Sequence, residues 1–155
     1  MSEVISYNKL AELLEDSLCK YDCVWMKLVG KSMLPFLRSG TSIAVRKADI
    51  KNIHIGDIIV FKKGDNAIAH RVFKKVNMDG RFFLRAKSDI SFLSEPLIDY
   101  EELIGKVVAF KRFGREVRID NLIFRLLGLA AAFSFPFIAK ANYSFKCVTN
   151  YVIQS

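Results

Sequence analysis

Ile58-Ile59-Val60-Phe61-Lys62, a Gly64-Asp65-Asn66 turn signal, and the run from Ile68 to Val76 read as two β-strands folded back on each other. β-Branched and aromatic residues crowd both runs, and the three residues between them are turn formers. The same grammar extends outward. Upstream lie Val24 to Val29 and Ile43 to Arg46. Downstream lie Arg81 to Ala86 and Ile104 to Phe113, with further turn signals at Asn77-Met78-Asp79-Gly80 and Gly114. Short strands at this spacing predict a mainly β protein, a compact antiparallel barrel or sandwich. Within the fourth run, alternation puts Ile68, His70 and Val72 on one face and Ala69, Arg71 and Phe73 on the other. A histidine between two aliphatics is ordinarily a hydrogen-bonded core residue, so His70 needs a further reason to be singled out.

The two ends of the chain follow other periods. Leu10, Leu13, Leu14 and Leu18 recur at helical spacing from about Ser6 to Lys20, which predicts an N-terminal amphipathic helix packing its leucines on the core. At the other end, Lys111, Arg112, Arg115 and Arg118 precede Leu122–Ala139, a run interrupted only by Arg125, Ser134 and Pro136 among small or apolar residues. As a helix it would reach about 27 Å, just short of a hydrocarbon core of about 30 Å. It reads as a membrane-associated segment, with a buried core helix as the alternative. If it spans, the preceding cations would keep the β part on the cytoplasmic side. The expected division is an N-terminal helix over residues 1–21, a β domain over 22–120 and an apolar segment over 121–155.

At 155 residues one domain with a substantial core is expected, and 52% hydrophobic content with 13 phenylalanines excludes disorder. The net charge of +8 favours an anionic partner, a membrane surface more than nucleic acid, because the aromatics are not spaced as a base-stacking platform. Cys19, Cys23 and Cys147 are an odd number and make no disulfide framework; with His54 and His70 they lack zinc spacing. No metal and no cofactor is expected. Met1 to Lys20 carries Glu3, Glu12, Glu15 and Asp16 and has no continuous apolar run, so no cleavable signal is read there.

Gly30-Lys31-Ser32-Met33-Leu34-Pro35 puts a lone serine on a bend directly after the first β run. Glycine lets the backbone turn sharply and proline fixes the exit. A nucleophilic hydroxyl requires such rigid, exposed presentation. Four blocks follow the bend: Gly56-Asp57-Ile58-Ile59-Val60-Phe61, Ala67-Ile68-Ala69-His70-Arg71-Val72, Phe83-Leu84-Arg85-Ala86-Lys87-Ser88-Asp89 and Leu103-Ile104-Gly105-Lys106-Val107-Val108. In this order they resemble the type I signal peptidases, the serine endopeptidases that trim leader peptides from exported proteins, over roughly Val24 to Phe110. The resemblance is to the branch with histidine in place of the lysine base, within the superfamily that includes the self-cleaving repressors. It implies Ser32 as nucleophile, His70 as general base and Asp89 as the acid, with Met33, Leu34 and Ile68 as walls of the substrate pocket.

Three positions depart from that pattern. Thr41 follows Gly40 where aspartate is usual. Lys87-Ser88-Asp89-Ile90 stands where Lys-Gly-Asp-Asn is usual, and Glu95 is the one nearby candidate for a second acid. The orienting acid is therefore Asp89 or Glu95. Imidazole titrates near pH 6.5 without deep burial, whereas a lysine base must be brought down from about 10.4 by desolvation. Histidine in this role predicts a more open and more polar pocket, and an acid to fix its tautomer.

The implied activity is cleavage of leader or signal peptides after small residues, on a peptide or preprotein substrate. The membrane is the usual site of that reaction. The family's N-terminal anchor is not seen here, which favours the alternative of a cytoplasmic leader peptidase for a small ribosomally made peptide. A self-cleaving repressor relative fits less well, since only 31 residues precede Ser32 and no Ala-Gly or Cys-Gly bond occurs. A non-enzymatic basic β-barrel, binding nucleic acid or anionic membrane, is the remaining alternative; Lys62-Lys63 and Lys74-Lys75 are its support.

Overall fold

Strand β6 (Leu103–Arg112) is the strand on which the others converge. The computed structural model describes residues 10–91 and 96–134. β6 pairs antiparallel with β2 (Ser42–Arg46) on one side. On its other side it takes β3 (Ile58–Lys63) near its start and β7 (Arg115–Arg118) near its end. The seven-stranded sheet runs β1-β2-β6-β3-β4-β5, where β1 is Val24–Lys27, β4 is Asn66–Met78 and β5 is Arg81–Lys87. All strand pairs are antiparallel, so the mainly β architecture expected from the strand runs is the one the chain adopts.

The two larger apolar cores among the described residues lie against this sheet, and β3 divides between them by simple alternation. Ile58 and Val60 join Met33, Leu37, Ile43, Val45, Ile104 and Val107 in one. Ile59 and Phe61 join Val72, Leu84, Ala86 and Ile98 in the other. Helix α1 (Leu10–Lys20) closes the first core with Ala11, Leu14 and Leu18. Leu10 and Leu13 stay exposed, so the buried stripe is narrower than the leucine count suggests. Residues 1–9, including the expected first turn of this helix, lie outside the described residues. Cys23 falls beyond the helix, just ahead of β1.

Strand β7 was hidden in the sequence. Arg115-Glu116-Val117-Arg118 has one apolar residue and no alternation to read, yet it pairs with β6 across a turn at Phe113-Gly114. Both turn residues have positive φ (51° and 75°), the geometry of a type I′ hairpin. Charged residues on such an edge discourage pairing with other chains.

A second helix, α2, begins at 122 and is helical through 134, where the description ends. Asn121 caps it: its Oδ1 accepts from the Phe124 N–H at 3.0 Å, satisfying one of the free amides of the first turn. Of the apolar run Leu122–Ala139, the part from 135 on lies outside the described residues. Among those described, no helix is long and apolar enough to cross a membrane.

Candidate active site

The loop between β1 and β2 is closed at its neck. The Leu28 N–H donates to the Thr41 carbonyl at 2.9 Å, and the Gly40 N–H donates to the Leu28 carbonyl at 2.7 Å. Gly30 turns the chain with φ +101°, a conformation that a side chain would strain. Beyond it the backbone coils in tight turns, with the Leu37 N–H donating to the Met33 carbonyl at 2.8 Å. Met33 (0% exposed) and Leu37 plug the first core and pin the loop to the sheet. Ser32, half-buried, is thus presented from a loop anchored on both sides.

His70 comes from β4, opposite Ile59 of β3. β4 is long because it serves two partners. Its first half pairs with β3 and its second with β5, and Arg71 belongs to both ladders, opposite Ile58 and opposite Lys87. A bulge follows between Val72 and Lys74. Such irregularities bend a strand and re-aim its side chains. Residues 70 and 71 therefore sit where the sheet changes partners.

Ser32 and His70 line one cavity of about 330 Å³. Its other walls are largely apolar: Met26, Leu28, Ile43, Val60, Ile68 and Ala69 among them. His70 is 8% exposed and its ring lies 5.9 Å, centre to centre, from that of Phe61. The expectation of an open, polar pocket is not met. The imidazole lies on a strand between two buried neighbours, and aliphatic side chains from β1, β2 and β3 form the walls. Ile68 lines this cavity. Met33 does not, being spent on the core, and Leu34, ahead of a cis Pro35, is half-buried away from it.

A model of the Peptidase S24-like family matches residues 3–108, which include the serine loop, His70 and Asp89. The chain belongs to this family. No curated protein matches it beyond that. Membership brings a peptidase-like hydrolase fold that is also used by repressors, so what an S24-like site can do here rests on its own geometry.

On the opposite face of β4 the S24-like scaffold has a polar strut. Arg71 (2% exposed) holds Asp89 (0% exposed) in a two-pronged grip: Nε donates to Oδ1 and Nη2 to Oδ2, both at 2.9 Å. Its Nη1 donates to the Gly56 carbonyl at 2.9 Å, and the guanidinium lies 4.7 Å from the centre of the Phe36 ring. Burial pushes the Asp89 carboxyl up from its ordinary pKa, against the opposing pull of the Arg71 bonds and of the Arg71 and Lys87 charges. From Asp89 the strut returns to the serine. The Asp89 N–H donates to the Ser32 carbonyl at 2.8 Å, and Ser88 Oγ donates to the same oxygen at 2.6 Å. Serine at 88, where the signal peptidases usually have glycine, thus adds a bond that glycine cannot make.

Asp89 reaches Ser32 through the backbone, and its carboxylate is engaged by Arg71. Among the described residues no hydrogen bond joins Asp89 to His70. Glu95, the other candidate acid, lies outside the described residues. Arg71, Ser88 and Gly56 were not singled out as site residues from the sequence. For Arg71 the available signal was alternation, which put a cation on a buried face, where it requires a partner.

Proposed function

We propose that this S24-like protein is a serine endopeptidase that trims leader or signal peptides, in the manner of the histidine-type signal peptidases. The observation that supports the reading is that Ser32 and His70 both line one largely apolar cavity. In this reaction His70 takes the hydroxyl proton as Ser32 attacks the scissile carbonyl, and returns it to the leaving amine. The backbone N–H at the serine bend stabilises the oxyanion. A cavity walled by Ile68, Ala69, Val60 and Leu28 suits a small apolar side chain before the cut. Asp89 acts as a positioning residue, through Arg71 and the Ser32 carbonyl. The test is incubation with leader peptides ending in small residues. Wild type should cut, Ser32→Ala and His70→Ala should not, and unimpaired cutting by Ser32→Ala sinks the proposal.

The reading includes contact with an anionic membrane surface. In support, α2 turns Leu122, Ile123, Leu126 and Leu127 outward, and Lys111, Arg112, Arg115 and Arg118 precede it. Aliphatic side chains beside cations suit lipid better than stacked bases. Co-sedimentation with vesicles containing phosphatidylglycerol, weakened in Ile123→Glu/Leu127→Glu and by salt, is the expected result. Equal binding to neutral vesicles, or none, counts against it.

A further inference from the structure

Helix α2 lies beyond the span shared with the family, residues 3–108, yet its inner edge meets the polar strut at Arg71 and its chain neighbours at two further points. Arg125 Nε donates to Asp57 Oδ1 at 2.6 Å, and the Asp57 side chain is almost wholly buried. Lys87 Nζ donates to the Ala132 carbonyl at 2.7 Å. Between these latches Gly128 rests on Arg71 itself. A Cβ at 128 would come within 2.1 Å of Arg71 Nη1 and 2.4 Å of its Cζ. Positions 125, 128 and 132 follow one another at helical spacing, so a single face of α2 makes all three contacts.

That face completes a box around the guanidinium. Asp89 takes two of its nitrogens, the Gly56 carbonyl takes the third, the Phe36 ring covers one side, and the glycine surface of α2 lies against it. The walls brace one another. Phe36 packs edge-on against Phe124 of α2, with ring centres 6.1 Å apart, and a Cβ at Gly56 would strike the Arg125 backbone and Cβ. Anything larger than hydrogen at 128 must either push α2 outward or push Arg71 off Asp89.

We propose that α2 is a positioning element of the active site, with Gly128 as its contact point. The helix seats Arg71 on Asp89, the 88–89 turn then holds the Ser32 carbonyl, and the hydroxyl is thereby held beside His70. Its activity readout rests on the peptidase reading, so a second readout is chosen that does not.

The test compares wild type with Gly128→Ala, Arg71→Lys, Arg125→Gln and the double variant Gly128→Ala/Arg71→Lys. In Gly128→Ala kcat on a leader peptide should fall about 100-fold with KM within about twofold, because the reacting group shifts while the cavity walls stay. The narrower lysine head clears the new methyl, so the double variant should be less impaired than the product of the two single losses. Arg125→Gln adds no volume and guards against simple misfolding; it should lower kcat in the same sense. Independently of cleavage, exchange of the Asp89 amide hydrogen should accelerate at least about tenfold in Gly128→Ala, with the amides of α1 unchanged. Faster Asp89 exchange in a protein that cuts no leader peptide would leave the positioning role standing and remove the peptidase reading. Unchanged kcat in a cutting Gly128→Ala enzyme, or unchanged Asp89 exchange, overturns the positioning role.

Discussion

The two faces of β4 at residues 70 and 71 are built from opposite materials. His70 lines a largely apolar cavity together with Ser32, while the next residue, Arg71, is locked into a buried ionic box with Asp89. The first face is arranged for a reaction and the second for holding position. The contrast teaches that a site of this kind separates reactivity from rigidity by one residue of a strand. Substitutions at 70 should therefore cost activity and spare stability, whereas those at 71 should cost both.

The largest expected effect lies on the cavity side. His70→Ala should lower the cleavage rate at least about a thousandfold, within the range for losing a general base, while lowering the free energy of urea unfolding by no more than about 1 kcal/mol.

On the strut side the effect moves to stability. Arg71→Met leaves the Asp89 carboxylate buried without its partner, a change that costs about 3–5 kcal/mol in comparable pairs. Replacing both, Arg71→Met/Asp89→Leu, should recover most of that stability and none of the rate, because the apolar pair restores packing without restoring the bonds. If Arg71→Met unfolds no more readily than His70→Ala, the two faces do not differ as argued.

The same contrast explains what could be read from the chain alone. Six of the strands, the serine bend and the histidine were legible because apolar alternation and turn residues are local signals. The strut was not. Arg71 to Asp89 and Ser32 to Ser88 are contacts between distant segments, and nothing at Ser88 announces that its hydroxyl faces the carbonyl of residue 32. Strand β7 escaped for a different reason: an edge strand of charges carries no hydrophobic period. Likewise Leu122–Ala139 read as a membrane-associated run in which Arg125 was an interruption, while the contacts that seat its described part come from Arg125, Gly128 and a carbonyl.

A smaller effect separates the two links between the 88–89 turn and Ser32. Ser88→Gly restores the residue usual in the signal peptidases and removes the bond at 2.6 Å, leaving the Asp89 amide as sole donor to the Ser32 carbonyl among the described residues. The loss should be about 0.5–1.5 kcal/mol in urea unfolding, with a modest fall in kcat and no change in KM. A fall in kcat as large as that for Gly128→Ala would mean that the hydroxyl, not the box, carries the positioning.

The smallest effect concerns Lys87, where the strut meets the end of the described helix. Burial lowers the pKa of its ammonium, with the Asp89 charge opposing and the Arg71 charge assisting. The sign for stability follows from proton counting. Between the lowered folded value and the ordinary lysine value of 10.5, the unfolded chain binds more protons than the folded one. Stability from this group therefore rises with pH across that window and is flat on either side. Lys87→Met should remove the rise. In urea midpoints measured from pH 7 upward, the difference between wild type and variant should shift toward wild type as pH increases, since the titrations they share cancel. A difference that stays constant would mean that the Ala132 and Ser91 carbonyls to which the ammonium donates offset its burial, and a drift the other way that the latch on α2 is stronger than burial is costly.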